Sequence, residues 1–393
     1  MPNAVIVSAA RTAVGTFGGA LANTDAPELG GLAVKEAVSR ARLDPADVEE
    51  IILGNVLSAG LGLNPARVAA IASGVPKEVP SFGVNKACGS GLKAVALAAQ
   101  SIACGDAEVV AAGGFENMSL APYLLRKARF GYRMNHEKIF DSMIADGLTC
   151  PITLVHMGVT AENIAEKYGI SRDAQDEFAA LSQQRAGAAQ DSGAFDEEIF
   201  GVELAQKKGD PIVFAKDEHP RPETTADKLG RLRAAFKKEG SVTAGNASGI
   251  NDGAAAVVVM SEDRAKAAGL EPLARIRGAA SAGVDPSIMG MGPWPAIEKL
   301  LAKTGLSTGD IGLWELNEAF AAQSLGVLAE LKLDPDKVNV NGGAIALGHP
   351  IGASGARVLV TLLHAMKNRD VALGVASLCI GGGQGIALAV ERV

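Results

Sequence analysis

The chain has 393 residues, 48% hydrophobic, 21% charged and 4% aromatic, with a formal net charge of −7. That length exceeds what one hydrophobic core usually sustains, so two or three core units are expected. An acidic chain without a basic run is a poor partner for nucleic acid or an anionic membrane surface. Its four cysteines lack C-x-x-C or zinc-finger spacing, which argues against a disulfide framework or a metal site and suits the reducing cytoplasm.

Along the chain, the N-terminus runs straight into a strand-like stretch with no basic leader pattern. Val5–Ala9 reads as a strand, Leu29–Arg42 as a helix, Ile51–Leu57 as a strand, Ser90–Ala103 as a helix and Glu108–Ala112 as a strand. This alternation predicts an α/β fold with a mostly parallel sheet and helices on its faces. The middle, from about Ala121 to Gly249, is different. It carries charged stretches, Ser171–Asp191 and Asp227–Lys238, that read as helices, and it is broken by Pro211, Pro220 and Pro222. It is read as an inserted loop or lid region. Ala254–Met260 and Ile311–Glu315 return to strand character.

Gly352-Ala353-Ser354-Gly355 then opens a helix to about Lys367, followed by strands at Val371–Ala376 and Gly385–Val390. The apolar run Val371–Val390 is long enough to span a membrane, but five glycines and Gln384 interrupt it, so two buried strands joined by a Gly turn are expected. The Gly352–Gly355 helix start echoes Gly89-Ser90-Gly91, and each is followed by an apolar helix, a strand and a glycine pair. The division read from this weak duplication is 1–120 plus 250–270 as one half, 121–249 as a loop domain, and 271–393 as the second half.

Four positions could carry chemistry. Cys88 stands where a Gly-rich loop becomes a helix, and amides at a helix N-terminus favour a thiolate. His349 follows Gly348 and precedes Pro350, a rigid loop suited to holding an imidazole. Cys379 ends an apolar strand at Gly381-Gly382-Gly383. Asn317, in Leu316-Asn317-Glu318-Ala319-Phe320, can serve as an amide donor or as a helix cap. Each, taken alone, also reads as an ordinary structural residue.

Together these four segments resemble the thiolase family. The resemblance extends over almost the whole chain, including Ser8–Thr12, Gly113–Ser119 and Thr243–Gly249. It implies two similar α/β halves in five layers, α-β-α-β-α, with the site where their loops meet. By resemblance, Cys88 is the acylated nucleophile and His349 its base. Cys379 is the acid/base at the substrate α-carbon, and Asn317 holds a water that, with His349, binds a thioester oxygen. The N–H groups of Cys88 and Gly381 form a second oxyanion hole. Coenzyme A, as substrate and product, would lie along His156, Met157, Arg221, Ala244, Ser248, Ala319 and Phe320, with Met157 and Met289 bounding a short acyl pocket. Lys228 falls where some relatives carry a small polar residue. The chemistry requires no metal and no cofactor, and a homotetramer is the family expectation.

The leading reading is condensation of two acetyl-CoA; the runner-up is a longer-chain 3-ketoacyl-CoA thiolase of fatty-acid β-oxidation. Condensing enzymes of fatty-acid synthesis fit less well because they usually replace the second cysteine. A non-catalytic acyl-CoA-binding relative would not need Cys88, His349 and Cys379 together. A dinucleotide-dependent dehydrogenase would need a G-x-G-x-x-G after the first strand, which is missing.

Overall fold

A computed structural model describes residues 2–393. The first half contributes β1 (Ala4–Thr12), α1 (Ala26–Arg40), β2 (Glu50–Gly54), β3 (Ser81–Val84), α2 (Ser90–Cys104) and β4 (Val109–Asn117). The middle adds α3 (Met157–Tyr168) and α4 (Arg172–Asp191), and the chain returns to the sheet as β5 (Asn251–Ser261). The second half follows as β6 (Ala274–Gly283), α5 (Pro293–Thr304), β7 (Leu313–Leu316), α6 (Ala321–Leu331), α7 (Ser354–Asn368), β8 (Leu373–Ile380) and β9 (Gln384–Glu391).

The strands follow the order β7-β8-β9-β6-β1-β5-β4-β2-β3. Within the sheet the two halves pair where β1 meets β6, over Val5↔Arg275 and Ile6↔Ala274. Every residue of β1 and β5 is buried. That is why these strands read as continuous apolar runs rather than alternating ones: both faces are covered. One core lies between the halves, where Leu92, Val95 and Ile102 of α2 meet Val358, Leu359 and Leu362 of α7. A second core packs α1 on the outer face of the first half, and a third packs α5 and α6 on the outer face of the second. The result is the expected α-β-α-β-α sandwich.

Glycine explains how closely the central layer packs. A Cβ on Gly91 would stand 2.7 Å from the Ala356 amide, and one on Gly355 would stand 2.2 Å from the Leu92 amide. The repeated Gly-Ser-Gly starts therefore do reciprocal work: each lets the first turn of its helix touch the other helix.

Two expectations are corrected. The sheet is mixed, not mostly parallel. Among the described residues, β2 with β3, β2 with β4, and β7 with β8 run parallel, as does a short strand, Ile199–Phe200, beside β1. β5 returns from the middle segment and inserts antiparallel between β1 and β4, and the short turn after β8 can join only antiparallel strands. The stretch Asp227–Lys238 holds a helix only over Ala226–Gly230. Gly230 ends it, Leu229 is its one buried side chain, and Ala235 pairs instead with the Val242 carbonyl at 2.9 Å. The apolar run after Val371 forms β8 and β9 as an antiparallel hairpin.

Candidate active site

Cys88 stands two residues before α2. Its loop is fixed by its own side chains: Asn85 Oδ1 accepts the Ala87 N–H at 3.0 Å, and Ser90 Oγ accepts the Lys86 N–H at 2.8 Å. Ala87 takes a left-handed φ of 44°, a strained conformation for a residue with a Cβ. A Cβ on Gly89 would meet Ile380 at 2.6 Å, so glycine brings the nucleophile loop against the strand that carries Cys379. The helix start does not make Cys88 a thiolate. Burial pushes its thiol up to about 11; the amides of Gly381 and Cys88 itself pull the other way, and Glu116 adds to the rise. Desolvation outweighs the helix-end donors here, so Cys88 is a thiol at neutral pH and would need a base to act as a nucleophile.

His349 supplies one. Its backbone N–H donates to Asn251 Oδ1 at 2.9 Å, and Gly348 before it holds φ +104°, a conformation favouring glycine. Nδ1 stands 2.6 Å from Ser354 Oγ, which is itself 2.9 Å from the Pro350 carbonyl. The Asn317 side-chain amide reaches Nε2 at 3.5 Å. Burial, assisted by the Arg357 charge, lowers the imidazole to about 3, so it is neutral at neutral pH and free to accept a proton. Asn317 is tied by its N–H to the Ser377 carbonyl at 2.9 Å, and its Oδ1 is buried without a protein partner.

Cys379 lies fully buried near the end of β8, and its thiol is pushed up first by burial and then by the proximity of Cys88. Gly382 and Gly383, at φ +86° and +87°, reverse the chain immediately afterwards. Met157, Met289, Ala319, Phe320 and Cys150 share one apolar cluster with Cys379, and a Cβ on Gly381 would touch Met157 Sδ at 3.4 Å.

A cleft of about 550 Å³ opens above these groups. Of the anticipated contacts, His156, Met157, Arg221, Ala244, Ser248, Phe320 and His349 line it. Met289, Ala319, Cys379, Asn317, Gly381 and Cys88 do not line it; Cys88 packs against the cluster that holds Met118 and Ile351. His156 caps α3 by accepting the Gly158 N–H at 3.1 Å and stacks on Phe236, ring centroids 4.8 Å apart. Arg221 folds one guanidinium nitrogen onto the carbonyls of Glu218, His219 and Pro220. Lys228 lies outside the cleft, donating to the Glu223 carbonyl.

Sequence reasoning passed over Ser354, Asn251, His219 and Phe236. Ser354 lies inside the quoted glycine motif, five residues after His349, where a hydroxyl can reach back to an imidazole. Asn251 and Phe236 carry no such local signal, because they reach the site only through the fold.

A family model described as the thiolase N-terminal domain matches residues 4–263, and one described as the thiolase C-terminal domain matches residues 270–392. The chain is 59% identical over 392 residues to an acetyl-CoA acetyltransferase of Cupriavidus necator, covering 100% of both chains. It is 60% identical over 394 residues to an acetyl-CoA acetyltransferase of Escherichia coli, again covering 100% of both. The crystal structure of the Bacillus anthracis acetyl-CoA acetyltransferase superposes with a TM-score of 0.98 at 50% identity, covering 100% of this chain and 99% of that one.

Proposed function

The chain belongs to the thiolase family, and on that premise we propose that it is an acetyl-CoA C-acetyltransferase, condensing two acetyl-CoA to acetoacetyl-CoA and CoA, reversibly. The observation that carries this reading is the proximity of two thiols, part-buried Cys88 and buried Cys379, beside an apolar cleft lined by one neutral imidazole, His349.

In the first half-reaction His349 Nε2 takes the Cys88 proton and the sulfur attacks the acetyl carbonyl. The N–H groups of Cys88 and Gly381, already directed at this sulfur, receive the developing oxyanion. Collapse expels CoA thiolate, which takes the proton from His349. In the second, Cys379 gives its thiol proton to the freed His349 and, as thiolate, removes a methyl proton from the next acetyl-CoA. The enolate oxygen is held by His349 and a water on Asn317, and the carbanion attacks the acetyl-cysteine. Acetoacetyl-CoA forms as the Cys88 sulfur leaves and takes the proton held on His349, while Cys379 keeps the methyl proton, so both cysteines end as thiols. Splitting the reaction through a covalent thioester gives ping-pong kinetics. Atoms and charges balance with thiols, imidazole and water, so the proposal includes no metal or prosthetic group.

The segment 121–249 acts as a loop domain that brings His156, Met157, Arg221, Ala244 and Ser248 to coenzyme A. The four unpaired cysteines suit a cytoplasmic enzyme, and acetyl-CoA condensation chemistry suits a place in fatty-acid metabolism. Exposed apolar side chains between Leu120 and Ile139, with Phe130 at 90% and Met134 at 83%, support assembly into a homotetramer.

The test is CoA-dependent cleavage of acetoacetyl-CoA beside a longer 3-ketoacyl-CoA, with Cys88→Ala as control. Preference for acetoacetyl-CoA, lost in the control, is expected. Equal or better cleavage of the longer substrate would move the enzyme to the β-oxidation reading, and no cleavage of either by folded protein would overturn both.

A further inference from the structure

Glu116 sits one residue from the C-terminal end of β4, fully buried, and takes no part in the steps above. Both of its oxygens are engaged. Oε1 accepts the Asn55 side-chain amide at 2.7 Å and the Leu57 N–H at 3.1 Å. Oε2 accepts the Val56 N–H at 3.0 Å and the Gly352 N–H at 2.9 Å. Three of these donors follow β2 in the first half. The fourth belongs to the His349 loop of the second half.

That geometry bears directly on the nucleophile. Cys88 packs in one cluster with Val56, Leu57 and Ile351, so the backbone segments Glu116 holds are the walls around the thiol. Glycine is required at the far end of the bridge, since a Cβ on Gly352 would meet Glu116 Oε2 at 2.6 Å. Burying a carboxylate is costly, and for packing alone an apolar side chain would serve as well. The four N–H donors offset that cost only while both halves stay in place.

We propose that Glu116 is a positioning residue for acyl transfer: by bridging the Val56–Leu57 wall to the Gly352 amide, it keeps the Cys88 thiol in register with the His349 imidazole across the junction of the two halves. The inference rests on the thioester-exchange reading above. In its charged form Glu116 also raises the Cys88 thiol, and burial pushes Glu116 itself up to about 7, so this second, separable effect grows as pH rises through neutral.

Glu116→Gln tests both. Glutamine keeps the shape, but it puts an NH₂ group where an oxygen received two N–H donors, and it removes the charge. Turnover of acetoacetyl-CoA should fall about 10- to 100-fold in kcat, the loss expected from a misplacement near 1 Å. KM for CoA should stay within about twofold, because the binding contacts are untouched. Alkylation of Cys88 by iodoacetamide needs the thiolate but not His349, so it should run as fast as in wild type or faster. A falling kcat with undiminished alkylation separates lost register from lost fold. Wild-type kcat in the variant, or kcat and alkylation falling together in protein that melts like wild type, would overturn the proposal. If Glu116→Gln does not fold, Asn55→Ala carries the test: it removes one donor and leaves the charge. A severalfold lower kcat at unchanged KM is then expected, and wild-type kcat would overturn the proposal. Failure of the wild-type enzyme to cleave acetoacetyl-CoA at all would instead remove the reading on which the inference stands.

Discussion

Ser354 Oγ stands 2.6 Å from His349 Nδ1 and 2.9 Å from the Pro350 carbonyl. A hydroxyl is both donor and acceptor, so this one contact serves either imidazole tautomer. When Ser354 donates to Pro350, Nδ1–H donates to Ser354 and Nε2 is a free base, as removal of the Cys88 proton requires. When Ser354 turns its proton to Nδ1, Nε2–H becomes a donor, as stabilisation of the enolate oxygen requires. Ser354→Ala removes this pivot and leaves a buried ring nitrogen unpartnered. A loss of about 10- to 100-fold in kcat is expected, typical of a misoriented general base, with KM little changed. Steady-state thiolysis of acetoacetyl-CoA measures both. A variant that lost only KM would place Ser354 in binding rather than catalysis.

Cys88 should show its burial in its reactivity. With the thiol pushed up to about 11, the thiolate fraction of the free enzyme is small at neutral pH and rises with pH until that value is reached. Alkylation by a neutral reagent follows the thiolate, so its rate should climb about tenfold per pH unit between roughly pH 7 and 9. The check is a pH series of iodoacetamide labelling, read at Cys88 by mass spectrometry. A plateau already at pH 8 would mean that the helix-end amides outweigh desolvation after all.

The contrast between Cys88 and Ser354 marks how far the sequence was legible. Cys88, His349 and Cys379 announce themselves because each sits in or beside a glycine-rich loop, and Asn317 because an amide follows directly on an apolar strand. The helices at Arg172–Asp191 and Ser354–Asn368 are readable from local pattern. The direction of β5 is not, because strand polarity depends on where a long middle segment returns, and no local pattern encodes that. Nor is the state of Cys88. The helix N-terminus is a local feature, whereas the desolvation that wins comes from residues far along the chain, Val56 and Ile351 among them.

Arg357 and Glu315 tie the helix behind His349 to the strand before Asn317. Arg357 Nη1 lies 3.0 Å from Glu315 Oε1, both side chains 2% exposed. Arg357 is one turn along α7 from Ser354, and Glu315 is two residues before Asn317 on β7. Arg357→Met leaves a buried carboxylate without its partner and should cost about 3–5 kcal/mol of stability. The double variant Glu315→Leu with Arg357→Met should recover most of that cost, since no unpaired charge remains. Urea unfolding of the three proteins decides it; a double variant as unstable as the single would show that the cost lies in lost packing.

The last prediction concerns chain length. Met289 is 3% exposed and shares the apolar cluster of Cys379, Met157 and Phe320. In the proposed reaction, that side chain bounds the space for an acyl group on Cys88 beside Cys379. Met289→Ala removes three heavy atoms from that boundary. Apolar pockets discriminate by about 1–3 kcal/mol per methylene, so the ratio of kcat/KM for 3-ketohexanoyl-CoA to that for acetoacetyl-CoA should rise at least about tenfold. The same truncation opens a cavity and costs on the order of 2–5 kcal/mol of stability, so both substrates must be measured on one folded preparation. The ratio cancels any common loss of active enzyme, which makes it the informative quantity. A ratio unchanged by Met289→Ala, but raised by Met157→Ala, would put the end of the acyl pocket on α3 rather than on the segment before α5.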